Sequence, residues 1–204
     1  MTLRSGENGR SFFGLLFEVV LIAIGVFLAL LANNWHEDRQ HRERARAALR
    51  NFLEEMETNR QATQSYRQYH ESLTDELSEF LQSKEPITEE RLGKEVHFEG
   101  MRPVIFEHTA WDLALATQAL SYLDPDLAFA ISKVYTQQDA FQTLENSFLA
   151  SAFTPSNMSG DNLKGLATAM LTYLRDVNVY EPAIIRRYDE VIPKIRSALD
   201  SNEH

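Results

Sequence analysis

Twenty-one consecutive residues, Phe12 to Ala32 (FFGLLFEVVLIAIGVFLALLA), carry a single charge, Glu18. As a helix rising about 1.5 Å per residue the run reaches roughly 31 Å, the thickness of a bilayer's hydrocarbon core. Fifteen of its residues are Phe, Leu, Ile or Val. At roughly −0.3 to −0.6 kcal/mol each on the insertion scale, these total between −4.5 and −9 kcal/mol. A carboxylate costs at most about 3.5 kcal/mol at the bilayer centre and less off-centre, where Glu18 lies, so insertion wins. A cleaved secretory signal would have a shorter apolar core without Glu18, and a small residue where Leu30 stands. A buried soluble helix would show an apolar stripe rather than an almost uninterrupted run. The expectation is an uncleaved anchor whose first partner is the lipid bilayer.

Orientation follows from Lys and Arg. The N-terminal flank has Arg4, Arg10 and the α-amino group, whereas the C-terminal flank has Arg39, Arg42, Arg44, Arg46 and Arg50. The bias leans toward a cytoplasmic C-terminal domain by a small margin.

Within the span, Gly14, Glu18, Gly25, Ala29 and Ala32 recur at helical spacing and share one face with Ser11, with Ile22 the one large residue interrupting the row. Small residues in such a row let a second helix approach closely, and Gly25-x-x-x-Ala29 is a small-xxx-small step of the kind found in paired membrane helices. The face is a candidate association seam, for a second copy or another membrane helix, with Glu18 hydrogen-bonded across it. The plainer reading is that Gly is ordinary in membrane helices and that Glu18 reaches toward the nearer headgroups.

The stretch Glu18 to Glu37 (EVVLIAIGVFLALLANNWHE) resembles the opening of a family of uncharacterised bacterial single-pass membrane proteins. Those begin with a similar Glu, Gly-Val, Ala-Leu and Asn-Trp-x-Glu anchor followed by a charged helix; His36 stands here where the family pattern has Asn. Residues Thr109 to Asp124 also resemble a recurring segment of such proteins. The likeness covers about a quarter of the chain. It implies a bacterial membrane protein of unknown activity and carries over no catalytic residue.

Beyond Trp35, an interface anchor by type, the chain reaches Ser83 without Gly or Pro, which predicts one long helix continuous with the anchor. Leu49, Phe52, Met56, Asn59, Thr63, Tyr66, His70, Leu73, Leu77 and Phe80 step by three and four throughout, the spacing of a coiled-coil seam. Its polar middle favours packing against the chain's own later helices over a long two-stranded coil.

Pro86 ends that helix. After a mixed stretch with Gly93, Gly100 and Pro103, Thr109 to Asp112 resembles a capping box opening a helix to Leu123. Asp124-Pro125 is an N-cap with Pro at the first helical position. The next helix carries Leu127, Ile131, Val134, Gln138, Phe141, Glu145 and Phe148 along one side. Ser151 to Gly160 reads as a loop, Asp161 as the cap of a helix through Val177, and Glu181-Pro182 as the start of a last helix that Pro193 kinks.

No segment alternates with the period of a half-buried strand, so the expected class is all-α. The expected organisation is a short tail (1–11), a transmembrane helix (12–34), a long amphipathic helix (35–84), a linker (85–108) and a helical bundle domain (109–204) packing with the long helix.

Composition narrows the function. With no Cys there is no disulfide, thiolate nucleophile or thiolate metal site. Thirty acidic against 20 basic residues, a net charge of −10, make nucleic acid an unsuitable partner. Glu37, Asp38 and His41 can share a helix face as metal ligands do, but a di-iron site needs a second Glu-x-x-His, and a solvated charge run is the expectation. Glu107-His108 holds an acid and a base side by side, although neighbours in sequence point apart, and a helix-opening loop is expected. G-x-S-x-G, P-loop, G-x-G-x-x-G and H-E-x-x-H motifs do not occur. No catalytic residue, metal or cofactor is expected. Trp111, Gln118 and Tyr122 form one row of the 109–123 helix and are a candidate pocket wall, against the plainer reading of Trp111 as core. The leading function is a membrane-anchored interaction or scaffold protein, a subunit of a membrane-associated assembly; the alternative is a tethered ligand-sensing bundle.

Overall fold

A computed structural model describes residues 8–152, 154 and 162–201, with side chains from residue 14 onward. Among these residues the structure is helical, with no strand. The helices are α1 (Asn8–Gln82), α2 (Glu89–Glu95), α3 (Thr109–Ala116), α4 (Pro125–Ala152) and α5 (Leu163–Ser201); a 3₁₀ turn, Ala119–Tyr122, joins α3 to α4. The chain divides into two compact units, Met1–Arg44 and Ala45–His204.

In the first unit, every residue from 14 to 40 is exposed. Its apolar stretch belongs to a helix near the N-terminus that is long and apolar enough to cross a membrane, none of that stretch being buried.

The second unit packs around two apolar clusters. One joins Leu49, Phe52 and Met56 of α1 with Ile131, Val134 and Tyr135 of α4 and with Ile184, Tyr188 and Ile195 of α5. The other joins Leu73, Leu77 and Phe80 of α1 with Phe141 of α4, Leu171, Leu174 and Val177 of α5, and Val104. The start of this part of α1 meets the end of α5, and its end meets the beginning, so the two helices run in opposite directions while α4 runs with α1. Between the clusters lies a polar belt of Asn59, Thr63 and His70 from α1, Gln138 from α4 and Glu181 from α5, all buried, and Glu145 of α4 is buried one turn beyond Phe141. The polar middle of the three-four seam is thus enclosed by the chain itself. Asn59 satisfies both backbone groups of Glu107, donating to its carbonyl at 2.9 Å and accepting its N–H at 2.8 Å.

Local signals succeed where the chain supplies its own cap. Asp124 Oδ1 accepts the N–H groups of Asp126 and Leu127, both at 3.0 Å, and Pro125 opens α4. Elsewhere tertiary packing overrides them. The residue flanking α3 is His108, which makes no side-chain cap; Thr109 is already helical, and the Ala110 N–H is taken by Glu55 Oε2 of α1 at 2.7 Å. The expected 109–123 helix stops at Ala116, because Gln118 adopts a left-handed conformation (φ 56°). That conformation costs a non-glycine residue about 1–2 kcal/mol. In exchange the chain turns Ala119 and Leu123 into the first cluster.

The two helices expected on either side of Pro182 are one, α5, with Pro182 and Pro193 inside it. An interior Pro forfeits a hydrogen bond and costs about 3 kcal/mol. Leu174 and Val177 before Pro182 and Ile184 and Tyr188 after it share a continuous buried face, and each such side chain contributes about 1.5–3 kcal/mol on burial. Burial wins. The expected loop up to Gly160 and the Asp161 cap lie mostly outside the described residues.

Candidate functional site

Gly14, Glu18, Gly25, Ala29 and Ala32 are all on α1 and all exposed. At about 100° per residue they fall within roughly a 60° arc of the helix. A Cβ added at Gly14 or Gly25 would meet nothing within 4 Å. Phe27, on the other side of the helix, is 60% exposed. Polar residues then follow the apolar run as an i,i+4 ladder: Asn33 donates to Glu37 at 2.8 Å, Gln40 lies 3.0 Å from His36, and Arg39 pairs with Glu43 at 2.9 Å. Each rung stabilises the helix by about 0.2–0.5 kcal/mol. His36 is thus paired along its own helix, and among the described residues no group of three His, Asp or Glu is placed to hold a metal ion.

The chemistry of the second unit lies inside it. His70 Nδ1 is 2.7 Å from Glu181 Oε1, and both side chains are fully buried. His70 Nε2 is 3.3 Å from the Met101 carbonyl, which can only accept. Glu145, also fully buried, accepts the Val104 N–H at 3.0 Å and a hydrogen bond from the Tyr173 hydroxyl. Burial pushes its carboxyl up to about 7 and the Glu181 charge adds to the shift, while the Val104 N–H, His70 and Tyr173 oppose it. The Tyr173 hydroxyl is itself held above its ordinary range, by burial first and by Glu145 and Glu181 after it.

A second buried carboxylate, Glu55, accepts the Tyr135 hydroxyl at 2.7 Å as well as the Ala110 N–H. Burial and this bond together keep Tyr135 protonated far beyond the physiological range. Gln138 donates to the Tyr188 hydroxyl at 2.7 Å. Each of these groups bridges two helices, so the polar interior fixes register among α1, α3, α4 and α5.

No protein family, curated protein or solved structure matches this chain.

Of the residues expected to wall a pocket, Trp111 packs against the first cluster, stacked on Tyr135 at 5.0 Å between ring centroids. Gln118 is exposed at the break after α3, and Tyr122 sits half-buried in the 3₁₀ turn. The single helical row that linked the three ends with α3. Glu107 is exposed and is held through its backbone, while the His108 ring lies 3.2 Å from Asp112 and 3.5 Å from Asp139. A cleft of about 370 Å³ opens elsewhere, lined by Leu77, Val96, Met101, Phe148, Leu166 and Met170 among others. Sequence reasoning missed both the cleft and the pairing of His70 with Glu181. The signal for the latter was present, since His70 occupies an apolar phase of its helix.

Proposed function

We propose that this chain is a membrane-anchored helical interaction or scaffold protein, a subunit of a membrane-associated assembly. Residues 12–34 span a bacterial inner membrane, and a helical bundle built from the rest of the chain stands on the side that Lys and Arg counting makes cytoplasmic. The observation that carries this reading is the α1 face of Gly14, Glu18, Gly25, Ala29 and Ala32, exposed along its whole length with open space over both glycines. A soluble protein does not expose so large an apolar surface, and lipid or another helix is what covers one. The resemblance of Glu18 to Glu37 to bacterial single-pass anchors agrees with it. The buried polar belt supports a structural rather than catalytic interior, because its members bond to one another and to backbone; we propose no enzymatic activity. Cross-linking the full-length chain in native membranes tests the proposal: a cross-linked species, with a second copy or a membrane partner, is expected, and monomer alone refutes it.

The apolar cleft favours a second reading, a ligand-sensing bundle tethered to the membrane. Its almost wholly apolar lining suits a hydrophobic small molecule. Binding of an environment-sensitive apolar dye, lost on Met170→Glu, is its test.

A further inference from the structure

The cleft of about 370 Å³ opens into the second apolar cluster, whose buried members Leu77, Val96 and Ala167 line it. Three of its sides are helical, with Leu77 on α1, Phe148 on α4 and Met170 on α5. The fourth is the chain between α2 and α3, where Met101 is half-buried. That wall has no helix of its own, and side chains of α1 hold it instead. The Tyr69 hydroxyl donates to the Gly100 carbonyl at 2.6 Å and accepts the Glu99 N–H at 3.0 Å, and Glu76 accepts the His97 N–H at 2.7 Å. The cleft is therefore built into the packing of the bundle, as preformed ligand sites are.

Every residue that lines it is apolar. A sugar or nucleotide entering there would give up hydrogen bonds to water and find none in return, whereas an alkyl chain gives up none. At roughly 30 Å³ for a group the size of a water molecule or a methylene, the cleft holds on the order of a dozen methylenes, which is one chain and not the two of a bilayer phospholipid. Met101 and Met170 are flexible enough to close around it. Charge at the edge selects the head. Lys164 follows the lining residue Leu163 in the first turn of α5; it is exposed, and its ammonium is in no ion pair among the described residues. Arg102, next to Met101, is already paired with Glu99. We propose that this cleft binds one free fatty carboxylate of about twelve carbons, its chain among the apolar residues and its head beside Lys164. Such a ligand rests on the tethered ligand-sensing reading and gives it a chemical class.

Full-length protein in phosphatidylcholine nanodiscs, photolabelled with dodecanoate carrying a diazirine in its chain, provides the test. Adducts are expected on residues lining the cleft, Met101 and Met170 above all, and unlabelled fatty carboxylates should displace the label. Referred to free aqueous ligand, displacement should strengthen by up to about fourfold per added methylene and level off at about twelve carbons. Lys164→Ala should weaken dodecanoate binding roughly two- to fivefold, the scale of an exposed ion pair, and leave dodecanol unchanged. Met170→Glu should abolish labelling; should that variant fail to fold, the adduct map and Lys164→Ala, at an exposed position, decide. Adducts confined to residues 14–34, labelling indifferent to added carboxylate, or dodecanoate binding unaffected by Lys164→Ala overturns the proposal. If the apolar dye binds and is lost on Met170→Glu but no carboxylate displaces it, the ligand-sensing reading stands and the fatty carboxylate falls; if neither binds, both fall.

Discussion

The carboxylate of Glu55 accepts the backbone N–H of Ala110 at 2.7 Å, so a residue on α1 caps the start of α3 from 55 positions away. Its other oxygen takes the Tyr135 hydroxyl, also at 2.7 Å. One side chain thereby ties three elements together. Glu55→Ala would strand two buried donors, each costing about 1–3 kcal/mol. The expected loss in denaturant unfolding is about 3 kcal/mol. Glu55→Gln keeps an acceptor for one donor and should cost about a third of that. Equal losses for the two variants would mean that the carboxylate's size, not its hydrogen bonds, holds α3.

His70 and Glu181 make a buried pair whose members fare differently together and apart. Removing one partner of such a pair costs about 3–5 kcal/mol, whereas replacing both with apolar residues of similar volume is often close to neutral. His70→Leu alone should therefore destabilise strongly, and His70→Leu with Glu181→Leu should recover most of the loss. Additive losses in the double-mutant cycle would show that the two side chains do not interact.

Pro182 distinguishes a continuous α5 from two helices meeting there. Inside a helix it lacks an N–H for the Asn178 carbonyl, so Pro182→Ala should raise stability by about 1–3 kcal/mol. At a helix start the same change would be neutral or harmful, since Pro is favoured at the first position. A fall in the denaturation midpoint would contradict the single helix.

What the sequence made legible was what local chemistry decides. Asp124-Pro125 opened α4 because cap and ring act within three residues, and the three-four spacing from Leu49 to Phe80 named the buried face of α1. What it concealed was decided from far along the chain. Thr109 to Asp112 has the letters of a capping box, yet the cap comes from Glu55. Pro182 has the look of a start, yet buried residues on both sides carry the helix through it. Glu181 read as part of a helix start because nothing nearby in sequence revealed His70, 111 positions earlier, as its partner. The face from Gly14 to Ala32 follows from helical period alone, whereas what covers it is decided by a second molecule.

The anchor itself is open to fractionation. Full-length protein should stay with membranes through alkaline carbonate, while a chain beginning at Ala45, the start of the second unit, should remain in the supernatant and give a helical circular dichroism spectrum. Full-length protein released by carbonate would remove the spanning helix.

Association through the seam is most directly measured by cross-linking full-length protein in membranes, wild type beside Gly25→Leu and Phe27→Leu. Gly25 has open space above it, and a Leu there holds a partner helix off by about a side chain's width, which removes the close packing that drives membrane helix association. Cross-linking should drop sharply in Gly25→Leu and persist in Phe27→Leu, with both variants still inserted. Gly25→Leu cross-linking as efficiently as wild type would contradict the seam and, with it, the interaction role proposed for this chain.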